Sequence, residues 1–278
     1  MVDLSDLIYS IKKEGYSDEN AEAKVCQDVI LKAIEQSSLK QNITIKGGVV
    51  MSNISHNVRR ATQDIDIDFM RYSLSDESIR KFVSNINCLE GLIISIYGAI
   101  EELRQQDYHG KRVHVYIQDG NGYSIRSKID FGVHKDLSVK QQEYCFDVCL
   151  DDNGACLLMN SREQMFVEKL RALLKFGVFS TRYKDVFDMY YLGKEINKSL
   201  LIEYFEKYIF TDKDMKEQNI EDVLRRVESI FKNQTYRRRL KTSKRNWIGE
   251  SYDVVLHDIL YLLKDLRNHI KPTVETSL

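Results

Sequence analysis

Residues 46–48 read KGG and residues 60–69 read RATQDIDIDF, and the fold and chemistry of the chain are organised around these two stretches. Side chains on a β-strand alternate between its faces, so Asp64, Asp66 and Asp68 share one face while the apolar residues between them enter a core. Three like charges on one face repel each other unless a cation neutralises them, and a divalent ion with oxygen ligands is the natural partner. The stretch predicts a strand that carries a metal site for phosphate chemistry.

The two glycines stand between a short β-prone run, residues 42–46, and residues 49–54, which fit the first turns of a helix. Glycine permits a tight turn and a close approach of the backbone to a ligand. A helix N-terminus favours an anion, because its free N–H groups and its dipole both attract negative charge. Gly47 and Gly48 are therefore predicted to bind the phosphates of a nucleotide.

The first half of the chain also shows helical periodicity in residues 18–40 and 75–89 and β patterns at 92–97, 112–118, 123–131 and 144–150, with a hairpin turn at 119–122. Lys128 and Asp130 share one face of the third of these strands. A strand paired beside the first would bring Asp130 to Asp64 and Asp66 as a third metal ligand. The alternative is a solvated acidic edge strand without a metal.

Length and composition limit the class of protein. With 278 residues, 30% of them charged, and a formal net charge of -1, no global field favours nucleic acid or membrane. No signal-type or membrane-spanning apolar run is seen, so we expect a cytoplasmic protein without a membrane partner. Five cysteines without a CxxC pair argue against a disulfide framework or a zinc site, and favour reduced core thiols.

The composition becomes helical near residue 160, where residues 161–164 read SREQ, the form of a capping box. Helices are predicted at 161–176 and 181–194 and near 199–210, 219–235 and 251–269. The predicted fold is α+β: a mixed sheet with helices over residues 1–158, then an α-helical domain over residues 159–278, with the active site in the groove between them.

The strongest cationic cluster lies between Tyr236 and Trp247. We predict that it binds RNA backbone and that the two flanking aromatic residues stack on bases. The alternative is a solvated helix face balanced by the acids of residues 217–222. The predicted RNA-binding residues are Arg237, Arg238, Arg239, Lys241, Lys244 and Arg245.

Four motifs in order, GG at 47–48, RxTxDID at 60–66, EKxxAL at 168–173 and RYKDxxD at 182–188, resemble the AbiEii/AbiGii toxin family, which includes the MenT toxins. The resemblance covers roughly residues 40–195. It implies a polymerase-β-like nucleotidyltransferase core, with Asp64 and Asp66 as metal ligands and Lys169 and Asp185 as further catalytic residues. Val49 departs from the family pattern, in which a small hydroxyl residue usually follows the turn.

The resemblance also implies a toxin of a bacterial toxin–antitoxin pair linked to abortive phage infection, hence phage defence and a cognate antitoxin. It suggests transfer of NMP from an NTP to the 3′ end of a tRNA, with Mg²⁺ or Mn²⁺ as cofactor. Two alternatives stay open: transfer to a small molecule such as an antibiotic, and a non-catalytic NTP-binding interaction module.

The residues themselves support roles for several of these positions. Lys169 is flanked by apolar helix positions; it either binds the triphosphate as a point charge or covers apolar surface. Asp185 is predicted as a base or metal-shell carboxylate, with an Arg182–Asp185 ion pair as the rival, and Asp188 as structural support. Nucleotide-binding roles are also assigned to Thr62 and Arg60, although Arg60 could instead orient an aspartate of the strand.

Overall fold

The computed structural model describes residues 2–103, 110–134 and 136–270. The chain divides into two compact units, residues 1–160 and 161–278. The first unit contains a sheet with helices, and in the described residues of the second the regular elements are all helices joined by loops. This architecture confirms the predicted α+β fold class.

Unit 1 is built on one seven-stranded sheet. Its helices are α1 (Leu4–Lys13), α2 (Asp18–Gln36), α3 (Gly47–Ser55) and α4 (Asp76–Asn85). Its strands are β1 (Ile43–Lys46), β2 (Ile65–Phe69), β3 (Leu92–Leu103), β4 (Gly110–Asp119), β5 (Ser124–Val133), β6 (Gln142–Phe146) and β7 (Ala155–Met159). The spatial order is β3-β4-β5-β2-β1-β7-β6. The sequence patterns located β1 to β6 and α2 to α4, and they missed α1 and β7.

The sheet is mixed, and its centre is the pair β1 and β2. These two strands run antiparallel, whereas β2 is parallel to β5 and β1 is parallel to β7. The hairpin predicted at residues 119–122 is confirmed, because β4 and β5 pair antiparallel across it. The strand with the alternating aspartates is therefore a central strand with a neighbour on each side, which removes the solvated edge strand as an alternative.

The apolar face of β2 forms the core of unit 1. Ile65, Ile67 and Phe69 are fully buried, as the alternation predicts. The ring of Phe69 contacts those of Phe82 on α4 and Phe131 on β5, with centroids 5.5 and 5.1 Å apart. Because the apolar side of β2 is anchored in this aromatic cluster, its aspartates are fixed on the opposite face.

The expectation that all cysteines are reduced is wrong for one pair. Cys145 on β6 and Cys156 on β7 form a disulfide. They are direct register partners in an antiparallel ladder, so pairing of the strands places the two sulfurs together. Cys26, Cys88 and Cys149 are free thiols.

Unit 2 consists of α5 (Arg162–Phe176), α6 (Tyr183–Gly193), α7 (Lys198–Phe205), α8 (Ile220–Lys232), α9 (Gln234–Thr242) and α10 (Tyr252–Ile270). A π-helical turn, Glu206–Phe210, extends α7. The predicted cap is confirmed: Ser161 precedes α5 and its hydroxyl accepts a hydrogen bond from the amide of Gln164 at 3.1 Å. The cationic cluster lies on α9, a helix that was not predicted separately, and on the segment that follows it, which carries Lys244 and Arg245.

Helices long and apolar enough to cross a lipid bilayer are not found in the described part of the chain.

Candidate active site

A row of ionisable side chains crosses four neighbouring strands of unit 1. Lys46 on β1 is the register partner of Asp66 on β2, which is the partner of Asp130 on β5, which is the partner of Arg112 on β4. Neighbouring strands lie about 4.8 Å apart, so these four residues lie side by side. The prediction that a strand beside β2 carries Asp130 to Asp66 is confirmed by this register.

The outer carboxylate of the row is already neutralised. Arg112 donates hydrogen bonds from Nε and Nη2 to the two oxygens of Asp130, each at 2.7 Å. This two-point contact raises the pKa of Arg112. The contact with Arg112 uses one acceptor site on each oxygen of Asp130, and the role of Asp130 as a metal ligand stays a prediction.

Two further aspartates of the motif also have cationic partners. The ammonium of Lys46 lies 2.6 Å from Asp68 Oδ1, and both side chains are nearly buried. Lys128 lies 2.7 Å from Asp64 Oδ1, at a position where both side chains remain partly open to solvent. Asp68 is therefore held in a buried ion pair, whereas Asp64 has a partner that solvent or a ligand can displace.

Asp66 differs from its neighbours. Over residues 2–103, 110–134 and 136–270, no hydrogen bond or close ion pair reaches its carboxylate. Burial raises the pKa of Asp66 to about 6; Lys46 opposes the rise, and the charges of Asp130 and Asp64 add to it. Asp66 is half-buried, and a partly accessible carboxylate left without a close partner is suited to receive a cation or a proton during a reaction.

The Gly-Gly turn is shaped by what lies against it. Gly47 has φ +66°, and a Cβ there would collide with the carboxylate of Asp66, standing 3.0 Å from its Cγ. A Cβ on Gly48 would stand 2.8 Å from Cβ of Thr62. Helix α3 begins at Gly47 and has no side-chain cap. The glycines thus let Asp66 and Thr62 approach an uncapped helix N-terminus, a setting that favours bound phosphate.

A divalent ion fits part of the predicted ligand set. The described residues contain no preformed group of three or more His, Cys, Asp or Glu side chains able to hold a metal. Mg²⁺ is commonly held by one or two carboxylates, with waters and substrate phosphates as the other ligands. Asp66 without a close partner and Asp64 with a displaceable one meet that requirement.

Arg60 and Thr62 lie on the segment that enters β2. The guanidinium of Arg60 is almost completely buried. Thr62 is partly exposed, and its carbonyl oxygen accepts a hydrogen bond from Gln27 Nε2 on α2 at 2.7 Å. The contact with α2 fixes the backbone of Thr62 against the turn, and the two roles weighed for Arg60 both stay open.

Unit 2 contains an ionic cluster of its own around Lys169. Its ammonium lies 3.1 Å from Asp185 Oδ1 and 2.8 Å from Asp188 Oδ2. Asp185 also accepts a hydrogen bond from Arg182 Nε at 2.8 Å, which is the ion pair weighed as the rival to catalysis. Asp188 is fully buried and accepts a hydrogen bond from Trp247 Nε1 at 3.0 Å, the contacts of a structural support.

The charged side chains of the cationic cluster are exposed, but its two flanking aromatic residues are not available to stack on bases. Tyr236 is fully buried and Trp247 is 4% exposed, so the expectation that they stack on bases is wrong. Tyr236 and the buried Leu240 lie on the same face of α9, so that this face packs into the core of unit 2.

The cations of this cluster point away from that core. Arg237 is half-buried and pairs with Asp253, whereas five others are exposed and have no carboxylate partner among the described residues. The five are Arg238, Arg239, Lys241, Lys244 and Arg245. The acids expected to balance them pair elsewhere: Asp222 with Arg225 and Glu221 with Arg267.

Lys46 and Arg112 were not predicted from the sequence as partners of the aspartates. A weak signal was present, because Arg112 and His114 on one strand and Lys128 and Asp130 on the next repeat with period two, like the aspartates of β2. Only the register shows which of them meet.

The comparison with protein families gives one match. The model of the AbiEii family, described as a nucleotidyl transferase toxin of a type IV toxin–antitoxin system, matches residues 29–255. That range contains the Gly-Gly turn, the aspartates of β2, Asp130, the Lys169 cluster and the basic helix. Among curated proteins, none matches the sequence.

Proposed function

Since the chain belongs to the AbiEii family of nucleotidyl transferase toxins, we propose that it transfers NMP from an NTP to an RNA acceptor, the 3′ end of a tRNA. The observation that carries the proposal is the pair Asp64 and Asp66 beside the Gly47-Gly48 turn. The two carboxylates can bind a cation, and the helix N-terminus beside them can bind phosphate. Nucleotidyl transfer needs both.

The carboxylates of Asp64 and Asp66 would hold Mg²⁺ or Mn²⁺ together with phosphate oxygens of the NTP. Such an ion, when bound, supplies positive charge that orients the triphosphate and stabilises the leaving pyrophosphate. Binding there requires Lys128 to release Asp64, and the partial exposure of both side chains allows this exchange. Asp66 has no close partner to displace among the residues that the structure describes, which makes it the carboxylate whose loss matters most.

The transfer exchanges the phosphoanhydride bond between the α- and β-phosphates of the NTP for a phosphodiester bond to the acceptor. The acceptor hydroxyl attacks the α-phosphorus of the NTP, the bond to the β-phosphate oxygen breaks, and pyrophosphate leaves. The amides that begin α3 at Gly47 and Gly48 would bind phosphate oxygens, with Thr62 beside them. In unit 2, Lys169 and Asp185 are proposed to assist the same reaction, as the resemblance implies.

RNA is the proposed acceptor because α9 and the segment that follows it carry exposed cations with no acidic partner in the described part of the chain. Phosphate contacts by Lys and Arg supply most of the sequence-independent affinity for nucleic acid. The family's toxin–antitoxin description further suggests a cognate antitoxin and a role in abortive infection, with the reaction taking place in the cytoplasm.

The proposal is tested by incubating the purified chain with total RNA, Mg²⁺ and each α-labelled NTP in turn. We expect label in RNA, concentrated in the tRNA fraction, and loss of at least about a hundredfold in rate for Asp66→Ala. Asp152→Ala is the matched control, since Asp152 is exposed and lies outside the site. Labelling by Asp66→Ala at the wild-type rate would contradict the proposal.

The same assay separates the two alternatives. Label on a small-molecule acceptor, with none on RNA, would indicate an antibiotic-type nucleotidyltransferase. NTP binding that depends on Mg²⁺, without label on any acceptor, would indicate a binding module. Replacing Arg238 and Arg239 with Ala should weaken RNA labelling but leave NTP binding unchanged, because these cations are proposed to contact RNA alone.

A further inference from the structure

Unit 1 has an aromatic and cationic cluster on the open face of β3, β4 and β5. The rings of Tyr97 and Tyr116 lie 4.2 Å apart between centroids, and His114 lies 5.5 Å from Tyr97. The guanidinium of Arg126 lies over both tyrosines, 5.1 Å from one centroid and 5.8 Å from the other. We call Tyr97, His114, Tyr116 and Arg126 the stacking platform.

The platform lies on the same face of the sheet as the site carboxylates. Tyr97 is the register partner of His114, which is the partner of Lys128, and Lys128 pairs with Asp64. Two strand spacings, about 10 Å, therefore separate His114 from Asp64. One continuous face of the sheet in unit 1 therefore carries both the platform and Asp64.

Solvent reaches the platform. Arg126 is exposed and the three rings are partly exposed, whereas the opposite face of the same strands is buried: Val113, Val115 and Ile117 are 0% exposed. No carboxylate of the described residues pairs with Arg126, so its charge is held only against the two rings. Cross-strand aromatic pairs stabilise sheets by themselves, but that role does not require an unpaired cation above them.

Strand β3 changes course beside the platform. The register between β3 and β4 shifts between Tyr97 and Glu101, and Gly98 has φ +74° within this irregular stretch. Bulges of this kind redirect side chains and are frequent next to functional sites. Here the bulge interrupts the ladder directly after Tyr97, and pairing with β4 resumes at Glu101.

We propose that the stacking platform binds the unpaired bases at the 3′ end of the RNA acceptor, with Arg126 beside their phosphates; this rests on the proposed function. Aromatic rings combined with cations are how proteins bind single-stranded nucleic acid, because every base has a face that can stack. Two tyrosines and an arginine offer more stacking surface than the single base of an NTP needs. The distance from Asp64 leaves room for the terminal nucleotide between platform and carboxylates.

The test measures binding of a short single-stranded RNA, fluorescein-labelled at its 5′ end and with a free 3′ hydroxyl, by fluorescence anisotropy with EDTA present. The double variant Tyr97→Ala/Tyr116→Ala should bind at least about tenfold more weakly, since each base stacked on a ring contributes roughly a factor of five or more. Tyr97→Phe/Tyr116→Phe keeps the rings and should bind within about twofold of wild type.

The matched control uses another exposed tyrosine with a cation above it. Tyr9 on α1 has the ammonium of Lys13 4.3 Å from its centroid, and Tyr9→Ala should leave RNA binding unchanged. Arg126→Glu provides a second route if the double alanine variant unfolds, because Arg126 is exposed and has no carboxylate partner in the described chain. It should weaken binding at least about fivefold, and more strongly at low salt.

The outcomes separate the platform from the proposed transfer. Equal loss of RNA binding in the phenylalanine and alanine variants would contradict base stacking on the platform. A raised KM for NTP in the alanine variant, with RNA affinity unchanged, would contradict it as well. Neither result would contradict the proposed transfer reaction. RNA binding that depends on the tyrosine rings, without any label transferred, would instead refute the transfer and retain the platform.

Discussion

Replacing Asp66 with Asn is expected to stabilise unit 1 at neutral pH while abolishing nucleotidyl transfer. In the folded chain, burial raises the pKa of Asp66 from its ordinary 3.8 to about 6, with the charges of Asp130 and Asp64 adding to the effect against the opposing charge of Lys46. One pKa unit corresponds to about 1.4 kcal/mol, so ionised Asp66 costs folding about 2–3 kcal/mol. Asparagine has the same shape without the charge.

The sign of the pH dependence follows from which state releases its proton first. Below pH 3.8 Asp66 is protonated in both states, and its effect on the free energy of unfolding is at its most favourable. As the pH rises, the unfolded chain loses the proton first, so stability falls until the folded chain also ionises near pH 6. Above that pH the contribution of Asp66 stays constant.

The measurement is native-state hydrogen exchange with EDTA present, because it reports the opening free energy of unit 1 segments separately. At pH 7 and above, Asp66→Asn should raise the opening free energy of β1 and β2 by about 2–3 kcal/mol. At pH 4 the gain should fall to about 0.5 kcal/mol, because Asp66 is then protonated in the folded chain and partly protonated in the unfolded chain. In a thermal scan the same change raises the unfolding temperature of unit 1 by about 4–10 °C.

The matched control is Asp68→Asn, the same chemical change two residues along the same strand. Asp68 is nearly buried and pairs with Lys46 at 2.6 Å, so its loss leaves a buried ammonium without its nearest carboxylate. We expect a destabilisation of about 3 kcal/mol, opposite in sign to the effect at Asp66. Destabilisation by Asp66→Asn at pH 7 would refute the reasoning, because it would mean that ionised Asp66 has a stabilising partner.

Three further predictions concern single elements. Gly47→Ala should cost at least about 1–2 kcal/mol and remove activity, because an L-residue at φ +66° is strained and its methyl group would collide with Asp66; wild-type activity would contradict this. Asp188→Ala should destabilise unit 2 by about 3 kcal/mol and shift the emission of Trp247, the only tryptophan, in denaturant titrations; an unchanged midpoint would show that Asp188 supports nothing. Cys145→Ser should lower the stability of unit 1 by about 2 kcal/mol, because it removes the β6–β7 disulfide, whose loop spans 11 residues. A reductant should lower the stability of the wild-type protein by the same amount. Unchanged stability of the wild-type protein in reductant would contradict this prediction.

The ionised carboxylate of Asp66 lowers the stability of the fold, and such a cost is explained if Asp66 belongs to an active site. Asp64, Asp68 and Asp130 each have a cation within 2.7 Å, whereas Asp66 has none among the described residues. Proteins retain such strain where the ligand or the reaction uses it. If the proposed function holds, Asp66→Asn exchanges activity for stability, and the two assays together separate a functional carboxylate from an incidental one.

The sequence by itself determined the elements whose signals are local. Alternation with period two placed Asp66 and its neighbours on one face of β2, and the capping pattern marked the start of α5 at Ser161. The Gly47-Gly48 turn was recognised because few other features of a chain require two glycines after a strand. Each of these patterns is read within a few residues, and the four motifs in order were enough to indicate the family.

Tertiary structure decided which charges meet. Arg112 and Asp130 are 18 residues apart, and their pairing depends on the register of β4 against β5. The disulfide likewise follows from the register of β6 against β7, and burial of Tyr236 follows from the way α9 packs. A shift of one residue in any of these registers would move every side chain to the other face. Register is set by the summed packing of strands remote in sequence, and no local pattern contains that information.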